Sequence, residues 1–106
     1  MTRFFEPSGL RLDELAVACV ESGSRCLLLD VDALPVEFFD LSTRAAGHLL
    51  HDLGKYRIRM AAVVPSPKDY SAAFQSFVRE SNQGRSVRFF TAREEAEAWL
   101  RSETDA

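Results

Sequence analysis

Hydrophobic residues along the chain change their spacing several times, between continuous apolar runs and positions three and four residues apart. From Leu12 to Val20 they recur at the period of a helix, and from Cys26 to Val31 they form a continuous run typical of a strand buried on both faces. The same two patterns then repeat. The sequence therefore predicts strands at 3–6, 26–31, 58–64 and 86–90, alternating with helices at 12–20, 42–53, 70–78 and from 92 onward.

Residues at the predicted helix ends support these boundaries. Asp13 and Glu14 lie in the first turn of the first helix, where carboxylates oppose the positive end of the helix dipole. Gly54 follows the apolar stripe of the second helix and is a typical terminator. Thr91, with Glu94 three residues later, forms a capping box, so Thr91 is the predicted N-cap of the last helix.

The order of elements predicts an α/β fold with about four mostly parallel strands, because each intervening segment is long enough for a crossover helix. The chain has 106 residues, enough for one such domain in two or three layers, with a frayed tail from about residue 102. The first strand is short and lies at an edge of the sheet. An exposed strand edge can pair with a second copy, so a homodimer is one expectation.

Charge and composition narrow the classes of partner. Thirteen basic and sixteen acidic residues give a formal net charge of −3 and a pI near 5.3, which disfavours binding to nucleic acid. No apolar run reaches the roughly 18 residues of a membrane span, and the N-terminal residues lack the layout of a secretory signal. Cys19 and Cys26 lie inside apolar runs, which predicts buried thiols rather than a disulfide or metal ligands. We therefore expect a cytoplasmic protein that binds neither nucleic acid nor membrane.

Polar residues lie at the carboxyl ends of three predicted strands, the edge where ligands bind in open α/β sheets. Asp30 and Asp32 lie at the end of the second strand, Ser66 and Lys68 after the third, and Thr91 after the last. Two acids, a hydroxyl and a lysine at one edge are typical of a magnesium site around a phosphoacceptor aspartate. We favour the other interpretation, in which these are loop residues that solvate the strand ends.

The segment "PVEFFDLSTRAAG", residues 35–47, leads into the second helix and concentrates aromatic, acidic and hydroxyl side chains. Asp40 or Ser42 can cap that helix, because their side-chain oxygens accept hydrogen bonds from its free amides. A cap leaves Gly47 unexplained, since a glycine within a helix costs about 1 kcal/mol relative to alanine. We therefore expect a bulky ring or another backbone to lie close to Gly47. The preceding loop is the predicted contact surface, with Phe38, Phe39, Asp40, Ser42, Thr43 and Arg44.

His48 and His51 are one turn apart on the same predicted helix, a spacing that can direct two imidazoles toward one metal ion. A third ligand at suitable spacing is missing, so we interpret them as part of a solvated face and expect no metal. The sequence has no Ser, His and acid set in catalytic order and no glycine-rich phosphate loop, so neither a catalytic residue nor a cofactor is predicted. Five arginines indicate ordinary surface charge, with a clamp on an acidic partner or a phosphate as the alternative: Arg57, Arg59, Arg79, Arg85 and Arg88.

Three stretches of the chain together resemble a bacterial family of small proteins that consist of a domain of unknown function. They are "LLLDVDALPVEFFDLSTRAAGHLL", "YRIRMAAVV" and "FVRESNQGRSVRFFTAREEAEAWL". The resemblance extends from about Leu12 to Leu100. In that family Glu and Gln usually stand where His48 and His51 stand here.

More distantly, the order of elements and the polar residues before the second helix resemble the sulphate-transporter and anti-sigma-antagonist (STAS) fold. This resemblance implies a partner-binding switch, often phosphorylated on a serine directly after an aspartate at this helix start. Here Leu41 follows Asp40, and Ser42 and Thr43 stand one and two positions later. The predicted function is a non-enzymatic STAS-like regulatory or interaction module that binds a protein partner. The alternative is a small-molecule or anion binder, or an enzyme, with a strand-end pocket formed by Asp30, Asp32, Asp40, Ser66 and Lys68.

Overall fold

The computed structural model describes residues 4–104, which form five α-helices and three β-strands. In chain order they are α1 (Leu12–Glu21), β1 (Cys26–Asp30), α2 (Val36–Phe39), α3 (Ala45–Lys55), β2 (Arg59–Val63), α4 (Ala72–Ser81), β3 (Val87–Phe90) and α5 (Arg93–Thr104). Short 3₁₀ turns lie at Val31–Ala33, Leu41–Thr43 and Pro67–Asp69. Strands alternate with helices, so the predicted α/β class is confirmed. None of the helices in this part of the chain is long and apolar enough to cross a membrane.

The three strands form one parallel sheet in the order β1-β2-β3. In its register Cys26 lies opposite Arg59, and Met60 lies opposite Val87. Alternate residues of each strand point to opposite faces, and helices cover both faces. Burial on both faces explains why the strands appear in the sequence as continuous apolar runs.

The first predicted strand is reduced, in the described residues, to a single β-bridge between Phe5 and Leu27. The Phe5 amide donates to the Cys26 carbonyl at 2.8 Å. Pro7 has no amide with which to continue the ladder, so the pairing ends after one residue. Arg3, which belonged to the predicted strand, lies outside the described residues. The described sheet therefore has three strands where about four were predicted.

The helices form two unequal layers on the sheet. α1, α3 and α4 pack on one face around the larger hydrophobic core, and α5 packs on the other. α3 and α4 connect neighbouring parallel strands, and right-handed crossovers that advance in one direction place their helices on the same face. α5 makes no crossover, so it is free to cover the opposite face with Ala96, Trp99 and Leu100. It continues to Thr104, and the frayed tail expected from about residue 102 stays a prediction.

The helix predicted at 42–53 is shifted toward the C-terminus. It begins at Ala45, because Leu41–Thr43 forms a separate 3₁₀ turn, and it continues through Gly54. Gly54 is therefore not the terminator. Arg57 takes that place, in the left-handed conformation at a φ of 57°. The prediction failed because a left-handed helix end is usually marked in the sequence by glycine, which adopts a positive φ without strain. An arginine at that position gives no such signal.

Other boundaries differ slightly from their predictions. β1 ends at Asp30, and Val31 enters a 3₁₀ turn. α4 starts after Ser71, whose hydroxyl accepts an amide hydrogen bond from the first turn at 3.1 Å. α5 begins at Arg93, so the predicted N-cap at Thr91 lies one position too early.

The two cysteines are buried thiols in the larger and the smaller core, as the sequence predicted. Cys19 donates to the Ser24 carbonyl at 3.4 Å. Burial raises the pKa of the Cys19 thiol to about 11, since the low-polarity surroundings disfavour a thiolate. The position of Cys19 therefore keeps it protonated and unreactive at neutral pH.

Candidate functional site

The aromatic pair of the predicted contact surface belongs to α2, a single helical turn, and not to a loop. Phe38 is completely buried, and its ring centroid lies 6.1 Å from those of Phe74 and Phe89. Phe39 is half-buried and stacks on Tyr70, with centroids 4.3 Å apart and planes inclined by 10°. Such ring pairs are worth about 1 kcal/mol each beyond their burial, so they anchor α2 to the α4 segment. Phe38 therefore has no exposed surface for a partner.

The acid and hydroxyls that follow the aromatic pair form caps. The Asp40 carboxylate accepts from the Ser42 hydroxyl at 2.6 Å and from the Ser42 amide at 3.0 Å. These hydrogen bonds hold the pKa of Asp40 below its ordinary value. The Thr43 hydroxyl lies 2.8 Å from the Glu37 carbonyl and accepts from the Ala45 amide at 3.2 Å. Thr43 thus caps α3, and Asp40 caps the 3₁₀ turn before it.

An open groove of about 540 Å³ lies between α3 and α4, beside that 3₁₀ turn. α3 packs mainly against α1 and α2, which leaves its side toward α4 uncovered. The base of the groove is apolar and half-buried, while the residues on the α3 side are exposed and polar apart from a glycine. We call this the α3–α4 groove; its lining residues are Leu41, Arg44, Gly47, His48, His51 and Phe77.

Gly47 borders the α3–α4 groove with open space beside it. A Cβ atom built at Gly47 would meet no other atom within 4 Å. The prediction of a bulky ring or a backbone close to Gly47 is therefore wrong for this chain by itself. Alanine would fit there and would stabilise α3 by about 1 kcal/mol. Gly54, the other glycine of α3, is equally open but does not line the groove.

Arg44, His48 and His51 place one cation and two protonatable rings along the α3 side of the groove. Arg44 enters α3 from the left-handed conformation, at a φ of 61°, which costs a non-glycine residue about 1 kcal/mol. His48 and His51 are exposed, in agreement with the solvated face that was predicted from the lack of a third ligand. Within residues 4–102, no group of three His, Cys, Asp or Glu side chains is placed to hold a metal ion. The two imidazoles are therefore polar walls of the groove.

Sequence reasoning named Arg44 as a contact residue but missed Leu41 and Phe77. Phe77 falls on the apolar stripe of α4, and a stripe residue is expected to lie in the core. It is only half-buried here, because α3 does not close against α4 at this point. The pattern along one helix cannot indicate which neighbouring helix leaves a gap.

The residues predicted at the strand ends are only partly brought together. Asp30 and Asp32 line a second pocket, of about 310 Å³, together with residues of the segment 6–8. Ser66 and Lys68 lie at the 3₁₀ turn after β2 and are not among the residues that line this pocket. This pocket therefore brings together only two of the four side chains.

Arg93, which sequence reasoning did not single out, lies at this edge of the sheet. Its guanidinium forms a bidentate ion pair with Glu6, lies 3.6 Å from the Asp30 carboxylate, and pairs with Glu97 at 2.7 Å. The hydrogen bonds from Arg93 lower the pKa of Glu6. The one sequence signal was a cation in the first turn of a helix, where the dipole disfavours it. Arg93 therefore already opposes the charge of Asp30, one of the two acids predicted at the end of this strand.

The fold and the α3–α4 groove define a small three-layer α/β domain with an uncovered helical face. The model of the domain of unknown function DUF4180 matches residues 6–100. Because this match covers most of the chain, the protein belongs to that family, and the resemblance to a family of unknown function is confirmed. No curated protein and no solved structure matches the chain.

Proposed function

We propose that the chain is a non-enzymatic cytoplasmic module, STAS-like in its regulatory character, which binds a helical segment of a partner protein in the α3–α4 groove. The observation that carries this proposal is Gly47, an exposed glycine inside a helix that borders an open groove. Its destabilising effect on α3 has no counterpart in the contacts of this chain. A partner backbone that packs closely against α3 would explain why residue 47 is glycine, because glycine permits the closest approach.

The lining of the groove supports one chemical type of partner. Leu41 and Phe77 provide apolar contacts of the kind that receive the hydrophobic face of an amphipathic helix. Arg44 adds a positive charge at the margin, and His48 and His51 add positive charge when protonated. Complementary charge on the partner favours carboxylates beside its apolar face. The proposed occupant is therefore an acidic amphipathic helix.

Phosphorylation is the regulatory part of the proposal. The Ser42 hydroxyl donates to the Asp40 carboxylate at 2.6 Å, at the end of the groove formed by Leu41 and Arg44. A phosphate on Ser42 would remove this hydrogen bond and place like charges side by side, which would open the 3₁₀ turn. Mass spectrometry of native protein tests this part, because phosphorylation would add mass to the peptide that carries Ser42 and Thr43. If the native protein lacks this added mass, the phosphorylation part of the proposal is contradicted and only the binding part stands.

The binding proposal is tested with peptides selected on the purified chain from a displayed library of helical sequences. Selected peptides should be acidic and amphipathic, and Gly47→Leu should weaken their binding by at least about tenfold, because leucine fills the groove. Gly54→Leu is the matched control, since Gly54 is equally open in α3 but lies outside the groove. Both variants should melt at a higher temperature than the wild type. Peptides that bind Gly47→Leu as tightly as wild type would contradict the proposal.

The strand-end pocket supports the small-molecule alternative less well. Arg93 already lies 3.6 Å from the Asp30 carboxylate, and Ser66 and Lys68 do not line the pocket of Asp30 and Asp32. A thermal-shift screen with magnesium, phosphate and nucleotides should leave the melting temperature unchanged. A ligand that binds only the folded state would raise it. A rise that Asp40→Asn abolishes would favour the small-molecule alternative.

A further inference from the structure

Charge is distributed unevenly between the two ends of the sheet. Both signs of charge follow the strands at their carboxyl ends, with the acids Asp30, Asp32 and Asp69 beside the cations Lys68 and Arg93. At the amino ends the side chains are basic. We call this second group the arginine edge; its residues are Arg25, Arg57, Arg59, Arg85 and Arg88.

The sheet brings three of these arginines side by side at the starts of adjacent strands. Arg25 precedes β1, Arg59 opens β2, and Arg85 lies shortly before β3. The Arg59 amide donates to the Arg25 carbonyl at 2.9 Å, and the Arg59 guanidinium donates to the Arg85 carbonyl at 2.5 Å. Neighbouring strands are about 4.8 Å apart, so the three residues follow one another along a short line.

Helix dipoles and ion pairs do not account for three residues of the arginine edge. Basic residues in the last turns of α3 and α4, Lys55 and Arg79, complement the negative helix ends. Arg25, Arg57 and Arg85 lie outside the helices, and none of them has a carboxylate partner within residues 4–102. These cations therefore remain available to an external anion.

One further guanidinium of the arginine edge is held in place. Arg88 donates to the Gly84 carbonyl at 2.9 Å, and its guanidinium lies 5.4 Å from the centre of the Trp99 ring. A cation fixed by a hydrogen bond and an aromatic face loses less side-chain entropy when it binds an anion. Acids also lie near the helix ends at this side of the molecule, at Glu21 of α1, Asp52 of α3 and Glu80 of α4, whereas the arginines lie at and before the starts of the strands.

We infer that the arginine edge is a second interaction surface, which binds a short acidic segment of a partner protein. Guanidinium groups pair with carboxylates through two parallel hydrogen bonds, so a row of arginines suits a run of acidic residues. A nucleic acid fits less well. The molecule measures 37 × 25 × 22 Å and has a formal net charge of −3, so a long polyanion would extend onto acidic surface. This surface is separate from the α3–α4 groove and does not depend on it.

The test uses fluorescein-labelled octaglutamate and fluorescence anisotropy at low ionic strength. Wild-type protein should bind the probe saturably, and added salt should weaken the binding, as expected for charge-dominated contacts. The double variant Arg25→Glu/Arg85→Glu should bind at least about tenfold more weakly. The matched control is Arg11→Glu/Lys68→Glu, which changes the net charge equally at exposed positions outside this edge.

The control double variant should lower affinity by less than about threefold, because its charges lie away from the arginine edge. Circular dichroism and thermal melting establish that both double variants are folded. Equal losses in the two variants would overturn the inference, since net charge alone would then explain binding. A lack of saturable binding to octaglutamate would also overturn it. Tighter binding of labelled octathymidylate would assign the surface to nucleic acid instead.

Discussion

Two helix ends show how one residue can depart from what its sequence indicates. α1 ends in the expected way, since Gly23 has a φ of 86° and its amide donates to the Val20 carbonyl at 3.0 Å. α3 ends with the same bonding pattern, in which the Arg57 amide donates to the Gly54 carbonyl at 3.2 Å. Its left-handed residue, however, is Arg57. An arginine in this conformation costs about 1 kcal/mol, because its Cβ crowds a neighbouring carbonyl oxygen.

We expect Arg57→Gly to raise the free energy of unfolding by about 1 kcal/mol, because glycine adopts the left-handed conformation without strain. Urea denaturation of both proteins measures the difference. Gly23→Ala, at the corresponding position of α1, should lower the free energy of unfolding by about as much. A loss of stability in Arg57→Gly would mean that the arginine side chain makes a stabilising contact that outweighs the strain.

At the scale of an element, β3 is an edge strand of the described sheet and is protected by a side chain. The Asn82 side chain accepts from the Phe89 amide at 2.7 Å and donates to the Phe89 carbonyl at 3.3 Å. Phe89 is buried, so both of its backbone groups need partners. Asn82 thus takes the place that a further strand would occupy. At the other edge, Phe5 pairs with β1, and a homodimer there stays a prediction.

We expect Asn82→Ala to lower the free energy of unfolding by about 2 kcal/mol, because it leaves a buried amide and carbonyl without partners. Asn82→Asp should lower the free energy of unfolding by less, since a carboxylate still accepts from the Phe89 amide. Urea denaturation gives both values, and analytical ultracentrifugation reports any new self-association through the uncovered edge. If Asn82→Ala unfolded at the wild-type urea concentration, the side chain would not protect the strand.

At the scale of the whole molecule, one ion-pair network joins distant parts of the chain. Glu6 and Arg93 are 87 residues apart in sequence, and their contact ties the N-terminal segment to the start of α5. The Asp30 carboxylate at the end of β1 lies within 3.6 Å of the same guanidinium. Both partners of the Glu6 pair are substantially exposed, so the stabilisation is modest, below about 1 kcal/mol.

We expect the Glu6→Gln variant to be slightly less stable than wild type at neutral pH, and this difference to disappear in acid. The pKa of Glu6 is lowered in the folded state, so its contribution is present above the ordinary glutamate pKa. It is lost as pH falls through the lower, folded-state value. Urea denaturation between about pH 3 and pH 7 measures the difference. Glu94→Gln, in the same helical turn, is the control, and an equal pH dependence in it would contradict this role for Glu6.

Much of the fold could be predicted because its signals are local. The apolar run at 26–31 and the helical stripe from Leu12 to Val20 depend on residues that are neighbours in sequence, and both elements are present. The capping role of Asp40 was likewise visible, since a cap involves residues only a few positions apart, although Asp40 caps the 3₁₀ turn before α3 and not α3 itself. Of the candidate site, the sequence indicated Arg44 and the exposed pair of histidines.

What the sequence by itself determined is therefore the order of strands and helices, the buried thiols and the α/β class. Tertiary structure alone decided that Phe38 is buried, that Gly47 faces open space, and that Arg93 lies beside Asp30 at the end of β1. It also placed Arg25, Arg59 and Arg85, at the starts of the three strands, in one line. The physical reason is the separation in sequence over which each kind of signal acts. Periodicity and caps act within a few residues, whereas a groove or a charged edge arises where crossovers bring distant segments together.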